Sequence, residues 1–315
     1  VCTKITDGSH FSPKAQTEGY PMLSVKDMRE YDFDFSNCKK ISYEDYLKME
    51  RDGCVPQIGD VLVAKDGSYL KEIFRCKEQR EIALLSSIAI FRPNSQLIDS
   101  RFLCYCLKSP RVYNYISLNC VSGSALPRII LKDFKGVNIR VPSLDDQRRI
   151  ASILSSLDRK IELNNKINAD LEEMAQAIFK NWFVDFEPFK DGKFVDSELG
   201  MIPEGWKVGT LGELCNFKRG KNLLTKNAID EGVPVVAGGL EPSCYHNVAN
   251  TGAPVITVSG SGANAGFMRM YHVPVWASDC SFIDISCENF YFVYCFLKLN
   301  SKLLKHAQTG AVQPH

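Results

Sequence analysis

The sequence lacks the motifs expected of an enzyme or a membrane protein. No run of 18 or more apolar residues occurs in its 315 residues, so we expect no membrane-spanning helix. A Gly-x-x-x-x-Gly-Lys-Ser/Thr loop, which ATPases use to bind phosphates, is missing. The Asn-Pro-Pro-aromatic and Asp-Pro-Pro-aromatic signatures expected of amino-methyltransferases are missing too, and the five histidines lie far apart. We therefore predict a protein without a catalytic centre of its own.

Cysteine is abundant, but its spacing does not fit a metal site. The chain has twelve cysteines, and none form a Cys-x-x-Cys pair of the kind that holds structural zinc. The two closest, Cys104 and Cys106, lie inside an apolar stretch. This distribution favours reduced and mostly buried thiols, as in a cytosolic protein, and predicts no bound metal.

Length and composition predict about two globular domains. Hydrophobic residues make up 45% of the chain and charged residues 24%, which is typical of soluble proteins, and a domain usually takes about 150 residues. The formal net charge is only +1, whereas a protein that binds nucleic acid alone is usually more basic. If the chain binds nucleic acid, we expect partner subunits to supply part of the phosphate contacts.

One long helix is predicted from Ser143 to about Phe183. Pro142 precedes Ser143, and Asp146 follows three positions later, which approximates a capping box. No glycine or proline then interrupts the chain until Pro188. At 1.5 Å per residue, such a helix would be about 60 Å long.

The apolar residues of this helix recur at alternating steps of four and three, which is the heptad pattern of a coiled coil. We call these positions the seam: Ile150, Leu154, Leu157, Ile161, Asn164, Asn168, Leu171, Ala175, Ile178 and Trp182. The two asparagines would penalise slipped registers and so fix the pairing of the helix with a partner helix. A long helix packed on a globular core, with Asn164 and Asn168 merely exposed, is the alternative interpretation.

The two flanks of the helix resemble each other in three blocks. Residues 59–68 match residues 252–261, with glycines in the same places, and both predict a short strand that runs into a Gly-Ser turn. Two further blocks, predicted to be a short helix and a Gly-x-x-x-Pro turn, occur in the same order at 102–108 and 123–127 and at 292–298 and 310–314. Together they indicate a tandem duplication.

The expected fold is therefore α+β, with two tandem domains of short strands and helices separated by a long coiled-coil-type helix. We place the first domain at residues 1–142, the spacer helix at 143–190 and the second domain at 191–315.

The duplication also predicts missing segments. In the first copy, the third block is followed by a predicted strand at residues 136–141 and then by the long helix. The second copy stops after its third block, so we expect a second strand and a second long helix beyond residue 315. The first copy begins at Val1 without the residues that correspond to 206–215, and without an initiator Met. About nine residues are therefore expected before it.

The chain resembles the specificity subunits of type I restriction-modification systems. The resemblance is carried by Asp-Asp-Gln-Arg-Arg-Ile-Ala-Ser-Ile-Leu at 145–154, Leu-Asp-Arg-Lys-Ile at 157–161 and Met-Ala-Gln-Ala-Ile-Phe at 174–179. The runs Ile-Pro-Glu-Gly-Trp at 202–206 and Ile-Thr-Asp-Gly-Ser-His at 5–10 are similar to the starts of target recognition domains. The resemblance covers essentially the whole chain and is less close within the two domains than around the helix.

This resemblance implies a protein without catalytic activity that binds double-stranded DNA in the cytoplasm. Each recognition domain would read one half of a split target, and a pair of antiparallel helices would set the gap between the halves. Methyltransferase subunits with S-adenosylmethionine and a restriction and translocation subunit with ATP and Mg²⁺ would be its partners, so this chain itself is expected to hold no cofactor.

The sequence departs from the family in lacking the second helix, and this leaves two alternatives open. A half-type subunit could self-associate through the spacer helix, or the chain could be a coiled-coil interaction protein that does not bind DNA.

Candidate residues for base readout are donors and acceptors in or beside Gly-containing turns, where a loop could enter a groove. They are Ser9, His10, Lys65, Ser68, Tyr69, Lys71 and Arg128 in the first domain and Ser259, Ser261, Asn264 and Arg269 in the second. As groups, the loops 65–71 and 259–269 are the stronger candidates. The alternative is that these are ordinary solvated turn residues.

Overall fold

One long helix belongs to both halves of the chain. The computed structural model describes residues 1–67, 71–122 and 127–306, and it divides into two compact units, Val1–Lys166 and Ile167–His315. The boundary between the units falls within the helix, so that each unit includes one part of it. The sequence-based boundaries at residues 142 and 190, which set the helix apart as a spacer, stay a prediction.

Where the structure describes it, the first unit combines nine short strands with four helices before the long helix begins. The elements are β1 Cys2–Asp7, β2 Tyr20–Leu23, β3 Lys39–Ile41, α1 Tyr43–Arg51, β4 Val61–Ala64, β5 Ile73–Arg75, β6 Ala83–Leu84, β7 Ile88–Pro93, α2 Ser100–Lys108, α3 Pro110–Asn119, β8 Val121–Ser122, β9 Arg128–Ile129, α4 Leu131–Lys135 and α5 Leu144–Phe183.

The second unit follows the long helix with a hairpin and then a similar series of elements. They are β10 Phe194–Ser197, β11 Gly200–Pro203, α6 Leu211–Leu214, β12 Lys218–Arg219, β13 Val233–Val236, β14 Cys244–His246, β15 Val255–Ser259, β16 Met268–Tyr271, β17 Trp276–Ala277, β18 Cys280–Asp284, α7 Phe290–Leu299 and α8 Ser301–His306.

A four-stranded antiparallel sheet with the order β1-β7-β4-β5 forms the centre of the first unit. Successive side chains of a strand point to opposite faces, and β4 is buried on both faces. Val61 and Val63 pack into one apolar cluster with α2 and α3, whereas Leu62 and Ala64 pack into another. This explains why β4 reads as an unbroken apolar run instead of an alternating one.

The second unit repeats this topology. Its four-stranded sheet has the order β12-β18-β15-β16, and each unit adds a three-stranded sheet, β3-β2-β6 in the first and β14-β13-β17 in the second. In both three-stranded sheets the central strand is antiparallel to one neighbour and parallel to the other. The α+β fold with a tandem duplication, predicted from three short blocks, is confirmed.

The long helix begins and ends where the sequence predicts. The Ser143 hydroxyl accepts a hydrogen bond from the Asp146 backbone N–H at 3.3 Å and donates one to the Asp146 carboxylate at 2.6 Å. The helix α5 then runs for 40 residues to Phe183. A Ser cap and a stretch free of helix breakers are local features of the sequence. They were therefore sufficient to predict where this helix begins and ends.

Two of the three repeated blocks are confirmed as elements, and one predicted strand is wrong. Residues 102–108 lie in α2 and residues 292–298 in α7, whereas most of the third pair of blocks lies outside the described residues. Residues 136–141 form no strand. Val137, Ile139 and Val141 alternate because every second side chain packs partly buried against the core, and this packing gives the period of a strand without ladder hydrogen bonds.

All twelve cysteines are free thiols, five of them buried and seven half-buried. Within residues 1–67, 71–122 and 127–306, no three or more His, Cys, Asp or Glu side chains are grouped to hold a metal ion. No helix in that part of the chain is both long and apolar enough to cross a membrane.

Candidate nucleic-acid interface

The candidate residues of the first unit come from one end of its central sheet. Strands β1 and β4 flank β7, and both leave the sheet beside its first residue, Ile88. The Gly8 N–H donates to the Ile88 carbonyl at 3.2 Å, and the Lys65 N–H donates to the Ser87 carbonyl at 3.0 Å. The loops that carry Ser9 and Lys65 therefore start side by side.

Contacts with two carboxylates bring three of the predicted residues together. The Lys65 ammonium lies 3.3 Å from the Asp7 carboxylate and 3.4 Å from that of Asp66. The ring of His10 lies 3.4 Å from Asp7, and the guanidinium of Arg128 lies 3.1 Å from Asp66. The two carboxylates that join the group were not among the predicted residues, because an acidic side chain does not attract DNA phosphates.

Lys65 is an internal residue of this group and not an exposed one. It is 3% exposed, and its ammonium is occupied by Asp7 and Asp66. Its carbonyl accepts from the Ile129 N–H and the Gly67 N–H donates to the Pro127 carbonyl, both at 2.9 Å. The Lys65 ammonium therefore holds the two loops together, and its direct contact with DNA stays a prediction.

The remaining candidates of the first unit are less tightly placed. His10 and Arg128 are exposed, as is Lys71 just before β5. The Ser9 hydroxyl donates to the carbonyl of Phe11 at 2.8 Å and accepts from its N–H at 3.1 Å, which shapes the turn. Ser68 and Tyr69 lie outside the described residues.

In the second unit, two of the four candidates meet in one turn. Ser259 is 6% exposed, and its hydroxyl donates to the carbonyls of Gly238 and Ser261, both at 3.3 Å. The Ser261 hydroxyl donates to the carboxylate of Asp279. Ser259 therefore shapes the turn, and Ser261 presents the hydroxyl nearer to solvent.

The other two candidates of this unit make different contacts. The Asn264 carbonyl accepts from the Phe267 N–H at 2.9 Å and closes a short turn. Arg269 on β16 donates to the Leu240 carbonyl at 2.9 Å and lies 3.0 Å from the Glu241 carboxylate. The loop 259–269 is thus not one cluster.

Backbone hydrogen bonds reveal which positions of the two units correspond. The Gly8 N–H donates to the first residue of β7, and the Gly220 N–H donates to the first residue of β18. The next N–H groups, of Ser9 and Lys221, donate to the last residues of β6 and β17 at 2.7 and 2.9 Å. Ser9 therefore corresponds to Lys221, and the residues that follow them, His10 and Asn222, correspond as well.

Backbone hydrogen bonds also correct the residue correspondence between the two copies of the first repeated block. The Lys65 N–H donates to the Ser87 carbonyl, and the Gly260 N–H donates to the Asp279 carbonyl. Lys65 thus corresponds to Gly260, whereas the glycine pattern had paired Gly67 with Gly260. The sequence match is wrong by two residues because it aligned glycines in turns. The length of these turns differs between the two copies, whereas the backbone pairing of the strands is the same.

Sequence reasoning missed three polar residues of the second unit. Arg219, Lys221 and Asn222 are exposed and hold the positions that Asp7, Ser9 and His10 hold in the first unit. A glycine follows the first strand of each central sheet, Gly8 after β1 and Gly220 after β12. A single glycine is too short a pattern to align the two copies without the backbone hydrogen bonds of the sheets.

The predicted seam of α5 lies largely in solvent. Leu157, Leu171 and Ile178 are 55%, 57% and 57% exposed, and among the seam residues only Leu154 is half-buried. Buried residues of α5 lie between the seam positions, such as Ala151 in the first unit and Phe179 in the second. The seam therefore stays a predicted surface for pairing with another helix.

Comparison with known proteins gives matches along both units. A family model described as the type I restriction modification DNA specificity domain matches residues 2–173 and 203–315. The MjaIX specificity subunit of Methanocaldococcus jannaschii is 30% identical over 242 residues, which cover 69% of this chain and 56% of the relative. The HindI specificity subunit of Haemophilus influenzae is 32% identical over 137 residues, which cover 42% of this chain and 29% of that one.

The chain spans about half the length of the curated relatives it matches. Among solved structures, the type I restriction-modification S subunit from M. genitalium is similar, with a TM-score of 0.50 and 19% identity over 99% of this chain and 81% of that one. At this identity, the similarity concerns the fold alone.

Proposed function

Because the chain belongs to the family of type I restriction-modification DNA specificity proteins, we propose that it is the DNA-reading subunit of such a complex. Each unit would read one half of a bipartite target in double-stranded DNA. The long helix would connect the two readers and, through its number of heptads, set the gap between the half-sites.

The observation that carries this proposal is the repeated recognition fold, with one copy on each part of a single helix. Two copies with one strand order suit a task that is performed twice, once on each half-site. In both copies, polar residues gather where strands leave the central sheet, as base readout requires.

We propose that the chemistry resides in partner subunits. Methyltransferase subunits would bring S-adenosylmethionine, and a restriction and translocation subunit would bring ATP and Mg²⁺. This chain would position them on DNA in the cytoplasm without being an enzyme itself. Its net charge of +1 supports the view that these partners add contacts to the DNA phosphates.

The proposal is tested by co-purifying the chain with its methyltransferase subunits and mapping methylated sites on genomic DNA. We expect methylation at one bipartite sequence, and binding of the assembled complex that weakens steeply with salt as counterions are released. A complex that assembles but binds all DNA alike, or none, would instead support a coiled-coil interaction protein.

A second candidate is a half-type subunit that acts as a dimer. The exposure of the seam supports it, because Leu157, Leu171 and Ile178 lie in solvent and a heptad stripe is stabilised by a second helix. Two copies joined in this way would read a symmetric target. Sedimentation of the complex separates the candidates, since one chain for each functional complex would exclude the dimer.

A further inference from the structure

In each unit, a tyrosine hydroxyl donates a hydrogen bond to a carboxylate of α5. In the first unit, Tyr105 on α2 donates to the Asp158 carboxylate at 2.6 Å. In the second unit, Tyr294 on α7 donates to the Glu172 carboxylate at 2.8 Å. Both donors lie on helices that pack between the central sheet and α5, and each acceptor is a half-buried residue of α5.

Both tyrosines are suited to this contact at neutral pH. Burial raises the pKa of Tyr105 above its ordinary value, and the hydrogen bond to Asp158 raises it further. The same causes, with Glu172 as the acceptor, raise the pKa of Tyr294. Each hydroxyl therefore keeps its proton, and each hydrogen bond runs from a neutral donor to a charged acceptor, which makes it stronger than a neutral pair.

Other polar contacts hold these acceptors and the start of the helix. Gln147 is 1% exposed; its amide donates to the carbonyls of Pro142 and Leu97 at 2.9 and 3.2 Å and accepts from the Asp99 N–H at 2.9 Å. In the second unit, the amide of Gln176 donates to Glu172 at 3.3 Å. Directional polar contacts thus accompany the tyrosine hydrogen bonds along the helix, and Glu172 is held from two sides.

A hydrogen bond can fix the register of a helix more sharply than apolar packing alone. Apolar burial depends on area and has little directionality, so it fixes the rotation and register of a helix less sharply than a hydrogen bond does. A shift of one turn would put Tyr105 opposite Leu154 or opposite Glu162. Leu154 cannot accept a hydrogen bond, and Glu162 would have to share its carboxylate with Lys77, which lies 2.9 Å away. The corresponding shift in the second unit would replace Glu172 by Asn168 or Gln176, whose neutral amide oxygens are weaker acceptors than a carboxylate.

We propose that Tyr105 and Tyr294 are positioning residues that fix the register of each recognition unit on α5, and thereby restrict the gap between half-sites that the protein accepts. This inference rests on the proposed function. It assigns selection of the gap not to helix length alone but also to two hydroxyl groups that touch no DNA.

The test uses the assembled methyltransferase complex and DNA in which the gap is varied by single base pairs. Tyr105→Phe, Tyr294→Phe and the double variant remove only hydroxyl groups. Tyr291→Phe, on the same helix as Tyr294 but 59% exposed, is the matched control. With Tyr105 intact, Asp158→Asn keeps an oxygen that can accept from the Tyr105 hydroxyl and should therefore retain most of the selectivity that Tyr105→Phe loses.

We expect the wild type to methylate one gap length preferentially and the double variant to lose more than about tenfold of that preference, since about tenfold is the loss expected for one hydrogen bond to a charged group. Each single variant should lose less, and Tyr291→Phe should lose nothing. Equal loss of methylation at every gap length would overturn the inference and leave the tyrosines a structural role only. Unchanged selectivity in the double variant would overturn it as well.

The same assay separates this inference from the proposed function. A wild-type complex that methylates no bipartite site at any gap length would remove the proposed function and the inference together. A selective wild type with equally selective variants removes the inference alone.

Discussion

The two recognition units have one backbone topology but different charged residues at the end of their central sheets. Where the first unit has Asp7 and Lys65, the second has Arg219 and Gly260 at the corresponding ladder positions. Ser87 in the first unit is likewise replaced by Asp279 in the second.

The comparison separates what the fold requires from what it permits. A Cβ on Gly8 would lie 2.1 Å from the Leu84 carbonyl oxygen, and one on Gly220 would lie 2.1 Å from the Ser278 carbonyl oxygen. Both copies therefore need glycine where the loop leaves the sheet. One residue away no such backbone constraint acts, and acidic and basic side chains have both been accepted. Under the proposed function, this is where two half-sites of different sequence would be distinguished.

The largest expected effect tests the shared framework. Gly8→Ala and Gly220→Ala should each destabilise their own unit by about 3 kcal/mol or more, because backbone must move to admit the methyl group. Gly212→Ala is the control, since its nearest contact would be 4.0 Å away. Urea unfolding measures the loss, and hydrogen exchange assigns it to a unit. If either substitution were tolerated as well as Gly212→Ala, the claim of an equivalent constraint would be wrong.

The next effect tests the difference between the units. Lys65→Met should destabilise the first unit by about 3 kcal/mol, because it leaves the carboxylates of Asp7 and Asp66 without their buried counter-charge. Arg219→Met, at the edge of the second unit, should change stability by no more than about 0.5 kcal/mol, since Arg219 is exposed. Chemical denaturation of both variants measures the contrast, and similar losses would contradict it.

The exposed basic residues of the second unit, which matter little for stability, should matter for DNA binding. Arg219→Ala and Lys221→Ala should weaken binding of the assembled complex and should each lower the slope of log affinity against log salt by about 1 if they contact phosphates. Replacement of Lys207, exposed elsewhere in the same unit, is the control. A slope that does not change in either variant would remove these residues from the interface.

The last effect, which is absent at neutral pH, comes from a feature that the units share. Burial raises the pKa of the Cys104 thiol in the first unit and of the Cys280 thiol in the second from 9.0 to about 11. A raised pKa in the folded state means that the full stability is present below pH 9 and is lost as the pH rises towards 11. Urea unfolding at a series of pH values should show this decline, and Cys104→Ala should reduce it. A profile that stays flat to pH 11 would contradict the burial of these thiols.

Local signals in the sequence were sufficient for the long helix and for the α+β class. Ser143 caps the helix with its own side chain, and the heptad spacing needs no knowledge of tertiary contacts. Each of these features depends on residues a few positions apart. The predicted strand at 136–141 failed because alternation reports one buried side, and it does not report whether a neighbouring strand is available.

Features that depend on distant residues were not predicted. The pairing of Asp7 with Lys65 and of Tyr105 with Asp158 joins separate elements, and neither pair has a spacing that a pattern could reveal. The correspondence of Ser9 with Lys221 required backbone hydrogen bonds, because turns of different length had shifted the glycines that guided the sequence match. Of the predicted contact residues, Lys65 and Ser259 proved buried, since a turn must also fix its own conformation.

The most direct test of a two-reader protein on a helical spacer is an insertion into the spacer. Seven residues inserted after Lys166 would preserve the heptad seam and add about 10.5 Å of helix, or roughly 3 base pairs of DNA. Methylation mapping should then find the same two half-site sequences with a gap longer by about 3 base pairs. Methylation at the original gap would show that the helix does not set the spacing and would contradict the account.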